Sequence, residues 1–220
     1  MTESFAGIVA DPYHWPFDGA WSAADTAMLL LGFQAGPVEA LSAETEAACA
    51  LKVAKVAGRR GIALIASRRG TSCRVSPTDG LQWRADACPA PGSPDWQLVA
   101  SLAALPLAGI IDHPGDNAFF ATPLEQILRS RGIRNLLFAG LPTDGLLHAT
   151  QRTANDMGFE CLAIADGCKG TTTERHFGQL RITTFGNGLF GAVASSGAVL
   201  GALGAEDRSS ETFKETPDDA

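Results

Sequence analysis

From Thr26 onward, short apolar runs alternate with segments that carry helix signals, and this alternation constrains the fold more than any other feature. The runs are TAMLLL (26–31), IALIA (62–66), 107–112, NLLFA (135–139) and 159–165. Runs apolar throughout, without a polar face, suit strands buried on both sides, as in parallel sheets. Helix starts and stops lie between them. Ser42 reads as an N-cap with Glu44 and Glu46 in the first turn, and Gly61 as the stop. Pro123 opens a helix after Thr122 and Gly132 closes it. A further helix runs from Asp144 to about Met157 and ends at Gly158, and Thr171, Thr172 and Thr173 cap another. Residues 189–194 read as a last strand, and 195–204 as weak helix or turn. The pattern predicts a three-layer α/β/α fold with a mostly parallel twisted sheet. Ligands bind beyond the carboxyl ends of such strands. The positions to inspect are therefore 32–36, 67–71, 113–119, 140–147 and 166–169.

Residues 1–24 read as an irregular arm, because Pro12, Trp15, Pro16, Phe17 and Trp21 are interspersed with Asp and Gly. Its aromatics are expected to pack on the body or on a neighbouring subunit. Residues 25–205 form the expected domain, and 206–220 an acidic, flexible tail. Within the domain, 67–98 holds four Pro, three Gly and two Cys, without periodicity, and reads as a long loop.

The 220 residues suffice for one core. A composition 45 % hydrophobic and 19 % charged excludes a disordered chain. A formal net charge of −7 argues against a nucleic-acid partner. Apolar stretches are broken too soon for a membrane span, and the N-terminus lacks the pattern of a signal peptide. The five cysteines are odd in number and follow no CxxC spacing. Reduced thiols and a cytoplasmic location are expected.

No Walker loop, no GxGxxG after the first strand and no HxxxH or CxxC pattern is present, so no cofactor and no metal is expected. The chain does resemble a known family. DPYHWPFDGAWSAADTAMLLLGFQAG resembles the opening of the isochorismatase-like cysteine hydrolases, above all the biuret hydrolase and ureidoacrylate amidohydrolase branch. The stretch from IDHPGDNAFFATPLEQIL through RGIRNLLFAGLPTDGLLHATQRTANDMGFECLAIADGC is similar to that family's central block, and NGLFGAVASSGAVLGAL to its ending. The likeness spans about nine-tenths of the chain; loop 67–98 departs from it.

The resemblance implies C–N hydrolysis of amides or ureides by a Cys nucleophile. An Asp takes the thiol proton and a Lys lowers the pKa values of both. A cis-linked residue helps to form the oxyanion hole. Carried over position by position, the Asp falls on Gly32, the Lys on His113 and the Cys on Leu146. The cis-linked residue falls on Pro142, so Leu141–Pro142 is expected to be cis while offering no N–H. A further Lys of the branch falls on Asp116, and a substrate-binding Gln on Gly186. With all three catalytic members replaced, the resemblance implies a non-catalytic homologue. Its role would be a partner subunit of an active amidohydrolase or a small-molecule binder, within a homo-oligomer or a hetero-oligomer.

Alternatives stay open at the residue level. His113 could act as a general base in rebuilt C–N hydrolysis, aided by Asp112, Asp116 or the Arg68–Arg69 pair, or could be a structural histidine. Arg68 and Arg69 could bind an anionic ligand or be solvated. Cys168 lies at the crevice edge, and Cys73 among arginines could have a lowered pKa; both could equally be inert. Cys161 reads as a core thiol, His148 as facing away from the crevice, and Asp144 as a helix cap. His14 and His176 carry no motif.

Overall fold

The computed structural model describes residues 4–70 and 89–204. Six parallel strands form one sheet in the order β3-β2-β1-β4-β5-β6. They are β1 Thr26–Leu31, β2 Ala63–Arg69, β3 Gly109–His113, β4 Asn135–Gly140, β5 Glu160–Cys168 and β6 Ala192–Ala194. The helices are α1 Ala35–Leu41, α2 Glu44–Arg59, α3 Ala100–Ala103, α4 Leu124–Ser130, α5 His148–Asp156, α6 Thr173–Gly188 and α7 Ser196–Ala202. A 3₁₀ turn at Pro94–Trp96 and a π-helical turn at Thr143–Leu147 complete the elements.

Every residue of β1 and of β4 is buried, as strands covered on both faces must be. Alternate residues feed two separate cores. Met28 and Leu30 join one core with α2, α7, Trp15 and Trp21. Leu29 and Leu31 join the other with α4, α5 and Leu146. The strand order reverses direction between β1 and β4, whose residues pair in register from Thr26 with Asn135 to Leu31 with Gly140. In doubly wound sheets this switch point is where the ligand crevice lies.

Several local expectations are corrected. Ser42 is not an N-cap: it ends α1 in a left-handed conformation (φ 49°), and Ala43 precedes α2 without a side-chain cap. Helix α1 forms against the local signals, since GPVEA begins with the strong breakers Gly36 and Pro37. Strand β2 runs through Arg68 and Arg69, which pair with Asp112 and His113 of β3. These arginines therefore lie within the sheet and not in the loop after it. Cys168 likewise ends β5 and is buried. Strand β6 starts only at Ala192, because α6 continues through a kink at Phe185, Gly186 and Asn187. Asp144 caps no helix of its own; its carboxylate accepts from the Thr171 N–H at 2.8 Å and from the Thr171 hydroxyl.

The N-terminal arm makes isolated bridges, Ser4 with Ser22, Ile8 with Trp15 and Asp11 with Val193. Trp15 and Trp21 are buried and meet edge to face at 5.4 Å. Cys73 and the tail 206–220 lie outside the described residues. No helix among the described residues is long and apolar enough to cross a membrane.

Candidate functional site

The site is assembled by three strand ends. Gly32 follows β1, His113 ends β3, and the loop after β4 carries Leu141, Pro142 and Leu146. The Leu141–Pro142 bond is cis. The Pro142 carbonyl accepts from the N–H groups of Gly145 and Leu147, both at 3.2 Å. Proline contributes no N–H at this position.

Gly32 has φ +69°, a left-handed conformation that favours glycine. A Cβ placed there would strike the Leu141 carbonyl oxygen and stand 3.0 Å from Leu146 Cδ2. Leu146 is 2 % exposed and belongs to the core on that side of the sheet. Gly32 and Leu146 are thus brought together, and their contact fills the space between β1 and the loop after β4. What remains is a cavity of about 50 Å³, lined among others by Gly32, Arg69, Asp116, Leu141, Pro142 and Leu146.

His113 lies on the same face of the sheet but does not line that cavity. It is 2 % exposed, and both ring nitrogens are engaged. Nδ1 lies 2.7 Å from the Gly115 carbonyl and Nε2 3.2 Å from Ser67 Oγ. A carbonyl only accepts, so Nδ1 carries the proton and Nε2 accepts from the Ser67 hydroxyl. Burial pushes the His113 pKa down and Arg69 adds to this, against the opposing pull of the Gly115 carbonyl, Asp116 and Asp112. The ring is a neutral, doubly tethered imidazole rather than a cation. Ser67, which opens the stretch 67–71 expected after the second strand and lies instead within β2, is its partner and is itself 1 % exposed.

The arginines are also committed. Arg68 pairs with Asp112 at 2.7 and 2.9 Å, and its guanidinium stacks 3.6 Å from the centre of the Trp96 ring. Arg69 pairs with Asp116 at 2.8 Å. Gly186 sits in the α6 kink and is not among the residues lining the cavity. His148 is half-buried and bonded at Nδ1 to Gln179 Nε2 at 2.6 Å. Cys161 is the buried core thiol expected, and burial raises it well above the usual thiol range; the candidate Cys168 is pushed up to about 12 and is protonated.

A larger cavity, of about 500 Å³, opens beyond β5 between α1, α2 and the start of α6. Glu46, Lys169 and His176 line it. His176 Nδ1 is 2.8 Å from Thr143 Oγ1, one residue past the cis bond. No sequence motif marked His176; only the fold brings it beside the β4 loop.

The isochorismatase domain matches residues 26–196. Among solved structures, a cysteine hydrolase from Pseudomonas syringae pv. phaseolicola 1448A is similar over 93 % of this chain and 99 % of its own, with a TM-score of 0.75 at 19 % identity. An isochorismatase-like hydrolase from Alkaliphilus metalliredigens is similar over 81 % of this chain and 98 % of its own, with a TM-score of 0.69 at 17 % identity. A pyrazinamidase/nicotinamidase from Streptococcus mutans UA159 is similar over 77 % and 100 %, with a TM-score of 0.65 at 18 % identity. At these identities the likeness speaks for the fold, and the domain match over most of the sequence adds the lineage: the chain belongs to the isochorismatase family.

Proposed function

We propose that this chain is a non-catalytic member of the family, derived from the biuret hydrolase and ureidoacrylate amidohydrolase branch, and that it serves as a subunit alongside an active relative or in an assembly of its own. The observation that carries this reading is the closed contact of Gly32 with Leu141 and Leu146. It leaves about 50 Å³ where ligand pockets ordinarily offer roughly 300–1,000 Å³. Gly32 has no proton acceptor, Leu146 has no nucleophile, and Pro142 withholds an oxyanion donor. Loss of one such donor alone typically costs about 10²–10³ in rate. The exposed side chains of Phe177, Ile182, Phe185 and Leu189 on and just after α6 support association, since apolar surface of this kind favours contacts between chains.

A second reading has one observation in its favour. The 3.2 Å contact of Ser67 Oγ with His113 Nε2 has the donor–acceptor order of a nucleophile and its base, with Nδ1–H oriented by the Gly115 carbonyl. Both groups are buried, so a reaction there needs the site to open. One assay separates the readings. Purified protein is offered nicotinamide, isochorismate, biuret and ureidoacrylate, and release of ammonia or of the hydrolysed product is followed. Rates no higher than buffer background are expected. Turnover abolished by Ser67→Ala and by His113→Ala would replace the non-catalytic reading with rebuilt hydrolysis.

A further inference from the structure

The cavity beyond β5 lies away from the closed site and has a different chemical character. Its volume, about 500 Å³, falls in the range that accommodates small ligands. Glu46, on the first turn of α2, is the group that most needs a partner. Its side chain is only 19 % exposed, yet its Oε2 has no hydrogen-bond donor among the described residues. Its Oε1 stands 3.6 Å from Lys169 Nζ, beyond hydrogen-bond length. Oε2 is enclosed by the protein, so Oε1 is the carboxylate oxygen that a ligand in the cavity can meet.

Lys169 is held in place from the other side, since Nζ donates to the Ser42 carbonyl at 2.7 Å. That single bond leaves ammonium protons for an acceptor. His176 is fixed through Nδ1 by Thr143, and its Nε2 has no hydrogen bond among the described residues. The cavity therefore presents Glu46 Oε1, which has no hydrogen bond among the described residues, next to donors with spare capacity. Leu41 and Phe177 supply apolar wall on the same cavity, and the protonated Cys168 thiol adds no charge; the second carboxylate on the lining, Asp166, is taken up by the Ser196 N–H and hydroxyl.

We propose that this cavity binds a small zwitterion of the amino-acid class with an apolar side chain. Its ammonium donates to the Glu46 carboxylate, its carboxylate accepts from Lys169, and its side chain lies against Leu41 and Phe177. Each charged group of the ligand then meets an opposite charge in a partly desolvated site, where such bonds are strong. The site is independent of whether the family's centre is active, because none of its groups lines the Gly32–Leu146 cavity.

The test is isothermal titration calorimetry of the full chain with L-leucine, L-phenylalanine and glycine. L-Leucine or L-phenylalanine is expected to bind, more tightly than glycine. Glu46→Gln and Lys169→Met are each expected to weaken binding by about tenfold or more, as loss of a charge-assisted bond implies. Asp18→Asn, at the opposite end of the sheet, is expected to leave it unchanged. N-acetyl-L-leucine and L-leucine amide, each lacking one charge, test the same contacts without altering the protein and are expected to bind correspondingly worse. No heat from either apolar amino acid at millimolar concentration overturns the proposal. So does binding indifferent to Glu46→Gln and to N-acetylation.

Discussion

Gly32 shows how one backbone torsion can decide the fate of a site. At φ +69° a side chain costs on the order of 1–3 kcal/mol in strain before any clash is counted. Here the Cβ would also meet the Leu141 carbonyl, which is backbone and cannot swing aside. Gly32→Asp, which places a carboxylate at this position, is therefore expected to destabilise the fold by at least about 2 kcal/mol. A urea midpoint unchanged from the parent would show that the β1 end can relax and that the site is not closed. The sequence shows a glycine after the first strand, but not that the Leu141 carbonyl lies where its side chain would go. His113 is similar. Its place at the end of a strand is legible in the sequence, whereas its tethers to Ser67 and Gly115 depend on strand pairing. Burial, helped by Arg69, holds the ring neutral against the opposing pull of the Gly115 carbonyl, so the folded pKa lies below the ordinary 6.5 and the unfolded chain binds the extra proton first. The resulting stability is full above about pH 6.5 and is lost as pH falls toward the folded value. Stability measured by urea should thus drop between pH 7 and pH 5, and His113→Gln should drop less over that interval. Asp18 and Asp25, whose pKa values are lowered, contribute their pH dependence below this window. Equal slopes for parent and variant would mean that His113 is not held neutral.

At the scale of elements, strands β1 and β4 could be read from sequence because nothing but unbroken burial demands TAMLLL and NLLFA. Caps and strand ends were harder. Ser42, followed by Glu44 and Glu46, has the composition of a helix start, but tertiary packing uses it to join two helices through a left-handed turn. The end of β2 was hidden because Arg68 and Arg69 look like loop residues; paired with Asp112 and Asp116 they sit in a strand at little cost. Asp166, read only as a crevice position, proves to hold a helix. Its carboxylate accepts from the Ser196 N–H at 2.7 Å and the Ser196 hydroxyl at 2.6 Å. Ser195 accepts from the Ala198 N–H at 3.2 Å, so α7 starts with two capping side chains. Asp166→Ala is expected to cost about 1–2 kcal/mol, as loss of a helix cap does. Thermal unfolding checks this, and a change within about 0.5 kcal/mol would place the Asp166 contact among the surface bonds of no consequence.

For the whole molecule, the N-terminal arm binds the layers together. The sequence shows its aromatics and its lack of helix, and leaves open whether they cover this chain or another. In the fold, Phe5, Ile8, Trp15 and Trp21 enter the core that also holds α2 and α7. Asp11 also exchanges two backbone bonds of 2.9 Å with Val193, covering the outer side of edge strand β6. An uncovered edge would offer free N–H and C=O groups to other chains. Each of the four apolar side chains contributes about 1.5–3 kcal/mol by burial. Together they approach the roughly 5–15 kcal/mol by which whole domains are stable. Deleting residues 1–22 should therefore abolish cooperative urea unfolding, expose apolar surface to 1-anilinonaphthalene-8-sulfonate and promote aggregation through β6. Trp15→Ala, which keeps the arm in place, should cost about 3–5 kcal/mol. The two variants test different things, since the point change opens a cavity while the truncation also strips the sheet edge. A truncated chain that unfolds cooperatively at the parent's urea midpoint would show that the arm is an appendage and that the remaining layers close without it.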